Sequence, residues 1–263
     1  MLEPARIACT LPQVLSQIRA GERVWFDDGK IGGVVKAIEP DGVRVEITHT
    51  KPKGDRLLAD KGINLPDTQI TLPALTAKDE DDIKFVARHA DLIGMSFVRH
   101  ERDILEIRAL LDRLGVGDIG LILKIETRHA FERLPNLILA AVQRHPVGVM
   151  IARGDLAVEC GYERMAEVQE EILWVCEAAH LPVIWATQVL ESLAKKGLPS
   201  RAEITDAAMG VRAECVMLNK GPHVVAAVGA LDDILRRMQD HQSKKSARLR
   251  RLHLSEIHTG EET

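Results

Sequence analysis

Lys124 and Glu126 stand two apart at the end of the apolar run Gly120–Glu126 (GLILKIE). On a β-strand, residues two apart project to the same face, so this run would end with an ammonium and a carboxylate side by side. Charge at the end of an apolar strand is costly unless it is paired, solvated or coordinating. Taken alone, the pair reads slightly better as a buried salt bridge than as chemistry. Asp155 shifts that balance. It closes the next apolar run, in Ala152-Arg153-Gly154-Asp155, and a parallel arrangement would bring its carboxylate beside that of Glu126. Two converging carboxylates make a hard-cation site, since Mg²⁺ takes one or two carboxylates and fills its other positions with substrate oxygens and water. Gly154 would let backbone N–H groups approach an anion closely. The competing reading is an exposed Arg-Gly-Asp turn. Thr187 and Gln188 end the following run, where a hydroxyl can donate to a phosphate or carboxylate oxygen.

The elements that must position these residues alternate along the chain. Leu92–Val98, Gly120–Glu126, Val147–Arg153, Pro182–Gln188 and Cys215–Asn219 are apolar runs of strand length, with helical stretches between them. Ile104, Ile107, Leu110, Leu111 and Leu114 follow the spacing of one helix face. So do Val168, Ile172, Val175 and Cys176, and Ser200-Arg-Ala-Glu203 is a capping box that opens a further helix. Five such units predict a parallel sheet with right-handed crossovers. No glycine-rich nucleotide loop follows any of the runs. Polar residues stand instead at their C-terminal ends, the way a (β/α)₈ enzyme assembles its site. The fold class read here is therefore α/β, a partial TIM (β/α)₈ barrel of about five βα units. Before it, Arg23–Thr50 reads as a small antiparallel element, with Asp28-Gly29 and Asp41-Gly42 as hairpin turns.

Bulk properties narrow the function classes. A net charge of −4 over 263 residues argues against nucleic-acid binding by the chain as a whole. Aromatic residues make up only 3%, so the core must be aliphatic, as in a buried parallel sheet. The four cysteines form no C-x-x-C pair and read as reduced thiols. With no basic-then-apolar leader and no apolar stretch of membrane-spanning length, the expectation is a cytoplasmic chain with no membrane partner.

Several blocks together resemble the pyruvate kinase family from Arg23 to about Asp232: WFDDGKIGG, KGINLPDTQITLPALTAKD, SFVR, KIET, MIARGDLAVE, VIWATQVLESLAKKGLPSRAEITDAA and CVMLN. They occur in the family's order and spacing. The resemblance implies barrel strands four to eight, preceded by the tail of a β lid domain. Three segments follow: 1–60, a helix and lid remnant; 61–240, the partial barrel; and 241–263, a basic tail expected to be solvated and frayed. It also implies a glycolytic phosphotransferase acting on phosphoenolpyruvate/pyruvate and ADP/ATP with Mg²⁺, and an oligomeric assembly falls within it. By the same resemblance, Lys124 and Thr187 are the catalytic residues and Lys124 stabilises the moving phosphoryl group. Glu126 and Asp155 are the metal ligands. Gly154, Asp155 and Thr187 contact the substrate carboxylate, while Ser96, Arg99 and Arg153 complete the substrate-binding set.

The chain departs from the family pattern in three places. The first three barrel strands find no match, and with them go an arginine, an asparagine and the ligands of the K⁺ the family uses. After the last strand the family runs Ser-Gly-Glu-Thr, whereas this chain has Asn219-Lys220-Gly221-Pro222, so nucleotide contacts there are not implied. No C-terminal regulatory domain is expected. Two other readings stay open. One is an Mg²⁺-dependent lyase of the related phosphoenolpyruvate/pyruvate barrels, against which ARGDL and ATQVLES count when found together. The other is a non-catalytic remnant, because five strands of eight leave open edges.

Overall fold

The computed structural model describes residues 5–144, 146–239, 241–243 and 246–247; most of the basic tail lies outside them. It divides into two units, Met1–Ile172 and Leu173–Thr263.

The first unit opens with a 3₁₀ turn (Pro12–Gln17) and an antiparallel sheet of order β3-β2-β1-β4. Its strands are β1 (Arg23–Phe26), β2 (Ile31–Glu39), β3 (Gly42–His49) and β4 (Ile63–Asn64). Both expected hairpins form. The β1–β2 turn is tight enough to drive Asp27, Asp28 and Gly29 into left-handed backbone at φ of 52°, 55° and 79°, a region where Asp and Gly are least strained. Gly32 meets a different demand, because a Cβ there would lie 2.4 Å from the Trp25 ring. One face of the sheet closes over Val24, Phe26, Ile31, Val35 and Leu65, with Val14 and Ile18 from the 3₁₀ segment. This small element thus has an aliphatic core of its own.

Three βα units complete the first unit. β5 (Leu92–Met95), β6 (Gly120–Ile125) and β7 (Val147–Ala152) pair in parallel, with Met95 opposite Leu123 and Ile125 opposite Ile151. Every residue of β6 except Lys124 is buried, which is why GLILKI reads as a continuous apolar run rather than an alternating one. Helices α1 (Ala77–Val86), α2 (Glu101–Arg113), α3 (Arg128–Glu132), α4 (Leu134–Ala141), α5 (Arg153–Cys160) and α6 (Met165–Ala178) lie between or after the strands. The division between units falls inside α6. Ile104, Ile107, Leu110 and Leu111 form the buried stripe of α2 as their spacing predicts. The same helix buries Arg108, whose guanidinium donates to the carbonyls of Ile119, Arg144 and Pro146 at 3.0, 3.0 and 3.1 Å. Those bonds pair both terminal nitrogens of the buried guanidinium with carbonyls at the starts of β6 and β7, while its Nε is buried without a hydrogen-bond partner.

In the second unit β8 (Val183–Ala186) and β9 (Cys215–Val216) pair in parallel, Trp185 opposite Val216. Helices α7 (Glu191–Lys196), α8 (Arg201–Met209) and α9 (Val224–Met238) belong to the same unit. The capping box at Ser200 is present: its Oγ accepts from Glu203 N at 3.2 Å, and the Glu203 carboxylate accepts from Ser200 N at 2.8 Å. All five expected parallel strands are found, each shorter than its apolar run. Lys124 stays within the ladder, opposite Met150, whereas Ser96, Glu126, Arg153, Asp155, Thr187 and Gln188 fall beyond their strands. None of the four cysteines is in a disulfide. Among the described residues, no helix is long and apolar enough to cross a membrane.

Candidate active site

Lys124 is the next-to-last residue of β6, and Glu126 is the first residue beyond it. The strand period of two puts both side chains on one side, and Lys124 Nζ lies 3.0 Å from Glu126 Oε1. The ammonium also donates to Ser96 Oγ at 2.7 Å, just past the end of β5. Gly94 in β5 lies beside the lysine stem, where a Cβ would make an ordinary van der Waals contact with Lys124 Cδ at 3.7 Å. The side chain of Lys124 is 26% exposed and that of Glu126 only 4%. The pair is therefore a buried carboxylate under a cation that reaches solvent.

Glu126 is held on its other oxygen. Phe97, in left-handed backbone at φ 50°, turns its N–H onto Glu126 Oε2 at 2.5 Å. Burial nevertheless holds the Glu126 carboxyl above its ordinary pKa. The Phe97 amide and Lys124 pull it down, while the negative charge of Asp155 pushes it further up. Two carboxylates thus share a region in which one of them is poorly hydrated.

Asp155 reaches this region by a route the apolar run did not suggest. β7 stops at Ala152 and α5 begins at Arg153, so Gly154 and Asp155 stand in the first turn of a helix, not at a strand end or in an exposed loop. Backbone N–H groups in a first turn point out along the helix axis, and the helix dipole favours anions there. Asn64, from β4, donates from Nδ2 to Asp155 Oδ1 at 3.1 Å. One turn further along α5 lies Glu159, a buried carboxylate not singled out from the sequence. It accepts from the Asn64 side chain and from the backbone N–H of Arg128 at the start of α3. Burial, aided by the charge of Asp155, still pushes its pKa up to about 7.

The remaining expected residues are spread more widely. Arg99 is half-buried, donates from Nη2 to Leu72 O at 2.8 Å, and its own N–H is held by Asp103. Burial lowers its pKa. Arg153 reaches Gln169 Oε1 at 3.5 Å. Thr187 belongs to the second unit, directly after β8, and its hydroxyl donates to Ala186 O at 2.7 Å. Thr187, Gln188 and Leu190 all adopt positive φ, at 65°, 56° and 47°. Such backbone is strained for a β-branched residue and clusters at functional sites.

Among the described residues no three His, Cys, Asp or Glu side chains converge closely enough to enclose a metal ion. Two hard-oxygen carboxylates, one of them kept from water, still fit Mg²⁺, which rarely uses an all-protein cage.

A family model described as pyruvate kinase, barrel domain, matches residues 2–224. The chain belongs to the pyruvate kinase family. It is 34% identical over 262 residues to a pyruvate kinase of Bacillus licheniformis, covering 96% of this chain and 44% of that protein. To the pyruvate kinase PKLR of Rattus norvegicus it is 37% identical over 218 residues, covering 80% of this chain and 36% of that protein. A Geobacillus stearothermophilus pyruvate kinase is 35% identical over 243 residues, with 90% and 40% covered. The chain thus spans less than half the length of these relatives. Its α/β succession, with an antiparallel hairpin sheet before the parallel strands, is that of part of the pyruvate kinase barrel domain.

Proposed function

We propose that the chain provides the cation and metal side of a pyruvate kinase site, which transfers a phosphoryl group from phosphoenolpyruvate to ADP. The P–O bond to the enol oxygen breaks and a P–O bond to a β-phosphate oxygen of ADP forms. The enolate left behind takes a proton at C3 to give pyruvate. Such a transfer leaves the protein little covalent work, so catalysis rests on positioning and charge. The observation that carries the reading is the Lys124 ammonium, 2.7 Å from Ser96 Oγ and 3.0 Å from Glu126 Oε1 at the mouth of parallel strands. There it can exchange a protein carboxylate for phosphoryl oxygens and neutralise charge as it develops.

Glu126 and Asp155 are the residues that would hold Mg²⁺, and the bound ion supplies positive charge to the phosphoryl and enolate oxygens. The first-turn amides of α5 at Gly154 and Asp155 are proposed to receive the substrate carboxylate; for Thr187 a substrate-binding and catalytic role is proposed on the family resemblance alone. The family's K⁺ finds no ligands among the residues assigned here.

The test is pyruvate release from phosphoenolpyruvate, ADP and Mg²⁺, followed in a coupled assay with wild type and Lys124→Met. Wild type is expected to release pyruvate, and the variant to lose turnover by on the order of 10²–10³-fold or more, since it removes the charge that acts in the transition state. Normal turnover by Lys124→Met would refute the role given to Lys124. No pyruvate from wild type would show that the chain supplies one side of the site without completing the transfer alone.

A further inference from the structure

The Asn64 side chain lies between two carboxylates of α5. Asn64 is 5% exposed and Glu159 is 7% exposed. The carboxamide has two N–H donors. It gives one to Asp155 Oδ1 at 3.1 Å and bonds to the Glu159 carboxylate as well. With acceptors on both sides, its orientation is fixed, because turning the amide over would aim its carbonyl oxygen at a carboxylate. Asn64 is fixed in turn by strand pairing, opposite Trp25 in β1. Glu159 is fixed by the Arg128 backbone N–H, two residues after Glu126. A single chain of hydrogen bonds therefore runs from the segment that bears Glu126, through Glu159 and Asn64, to Asp155.

We propose that Asn64 and Glu159 are positioning residues that hold the Asp155 carboxylate in register with Glu126 for a divalent cation, an inference that rests on the metal reading of Glu126 and Asp155. Asp155 stands one helical turn from Glu159 on a short helix, and its carboxylate can rotate about its own side-chain bonds. The Asn64 donor occupies one oxygen and leaves the other for a metal. Glu159 keeps the Asn64 amide from turning and ties it to the start of α3. Neither residue need touch the ion. Partners that orient a metal ligand in this way typically contribute ten- to a hundredfold in affinity.

The test is Mn²⁺ affinity of the full chain, read from the electron paramagnetic resonance of free Mn²⁺, with a thermal unfolding curve for each variant. Asn64→Ala is expected to weaken Mn²⁺ binding by about tenfold or more. Asn64→Leu, which fills the same space without a donor, should weaken it equally and covers the case in which the alanine variant fails to fold. Glu159→Ala should also weaken binding, whereas Glu159→Gln, which keeps an oxygen for Asn64 to donate to, should recover most of that loss. A merely structural role would lower the unfolding temperature of these variants and leave their affinity within about twofold of wild type. That result overturns the positioning proposal and leaves the metal reading intact. If wild type itself binds no Mn²⁺, the metal reading fails and the proposal falls with it.

Discussion

Glu159 carries the largest carboxyl displacement among the described site residues, from an ordinary 4.5 to about 7, caused first by burial. The sign of its effect on stability follows directly. Between about pH 4.5 and pH 7 the folded chain keeps a proton that the unfolded chain has released, so stability falls as pH rises through that window and levels off above it. Glu159→Gln removes the titrating group and should flatten this slope by an amount on the order of one to a few kcal/mol. Urea unfolding of both proteins on either side of the window measures it, and equal slopes would contradict the assignment. The sequence made Lys124 and Glu126 legible as neighbours because a strand repeats every two residues. It hid Glu159 because Asp155 read as closing the strand run Val147–Arg153, with no helix there to set residue 159 beside it. Once α5 begins at Arg153, residues 155 and 159 fall one turn apart, and the link between them follows from helical spacing. Asn64 was hidden for another reason: its partner Asp155 lies 91 residues away in sequence, where no local pattern can reach.

At the scale of elements, punctuation was more legible than length. Asp28-Gly29 turns in the left-handed backbone its residues favour, the second hairpin turns at Pro40-Asp41 with Gly42 already in β3 opposite Glu39, and the Ser200–Glu203 box caps α8 with both reciprocal bonds. Ser200→Ala should cost about 1 kcal/mol of stability, the usual loss for an N-cap hydroxyl. A denaturant midpoint unchanged from wild type would show that the cap contributes nothing. Strand ends were less legible. An apolar run records burial, and burial continues past the last ladder bond into residues such as Val98 and Val189, both fully buried outside any strand. The contact that ties the β1–β2 turn to the segment after α5, Tyr162 Oη donating to Asp28 O at 3.2 Å, joins residues with no pattern in common. A Cβ at Gly29 would lie 2.6 Å from that hydroxyl, so the turn glycine serves both the backbone and this contact.

At the scale of the whole molecule, the family and the α/β succession were legible because blocks such as KIET, ARGDL and ATQVLES keep their order and spacing along the chain. The match covers residues 2–224, while the chain spans 44% or less of the relatives compared above. The proposed function therefore concerns one half of a site, in which Glu126 and Asp155 would bind a divalent cation and Lys124 with that cation would bind a phosphoryl group. Calorimetric titration of phosphoenolpyruvate into the full chain, with and without Mn²⁺, tests this without requiring turnover. Binding that depends on Mn²⁺ and weakens by about tenfold or more in Lys124→Met, at an unchanged unfolding temperature, is the predicted result. Phosphoenolpyruvate binding that is absent, indifferent to Mn²⁺, or equal in wild type and Lys124→Met would contradict it.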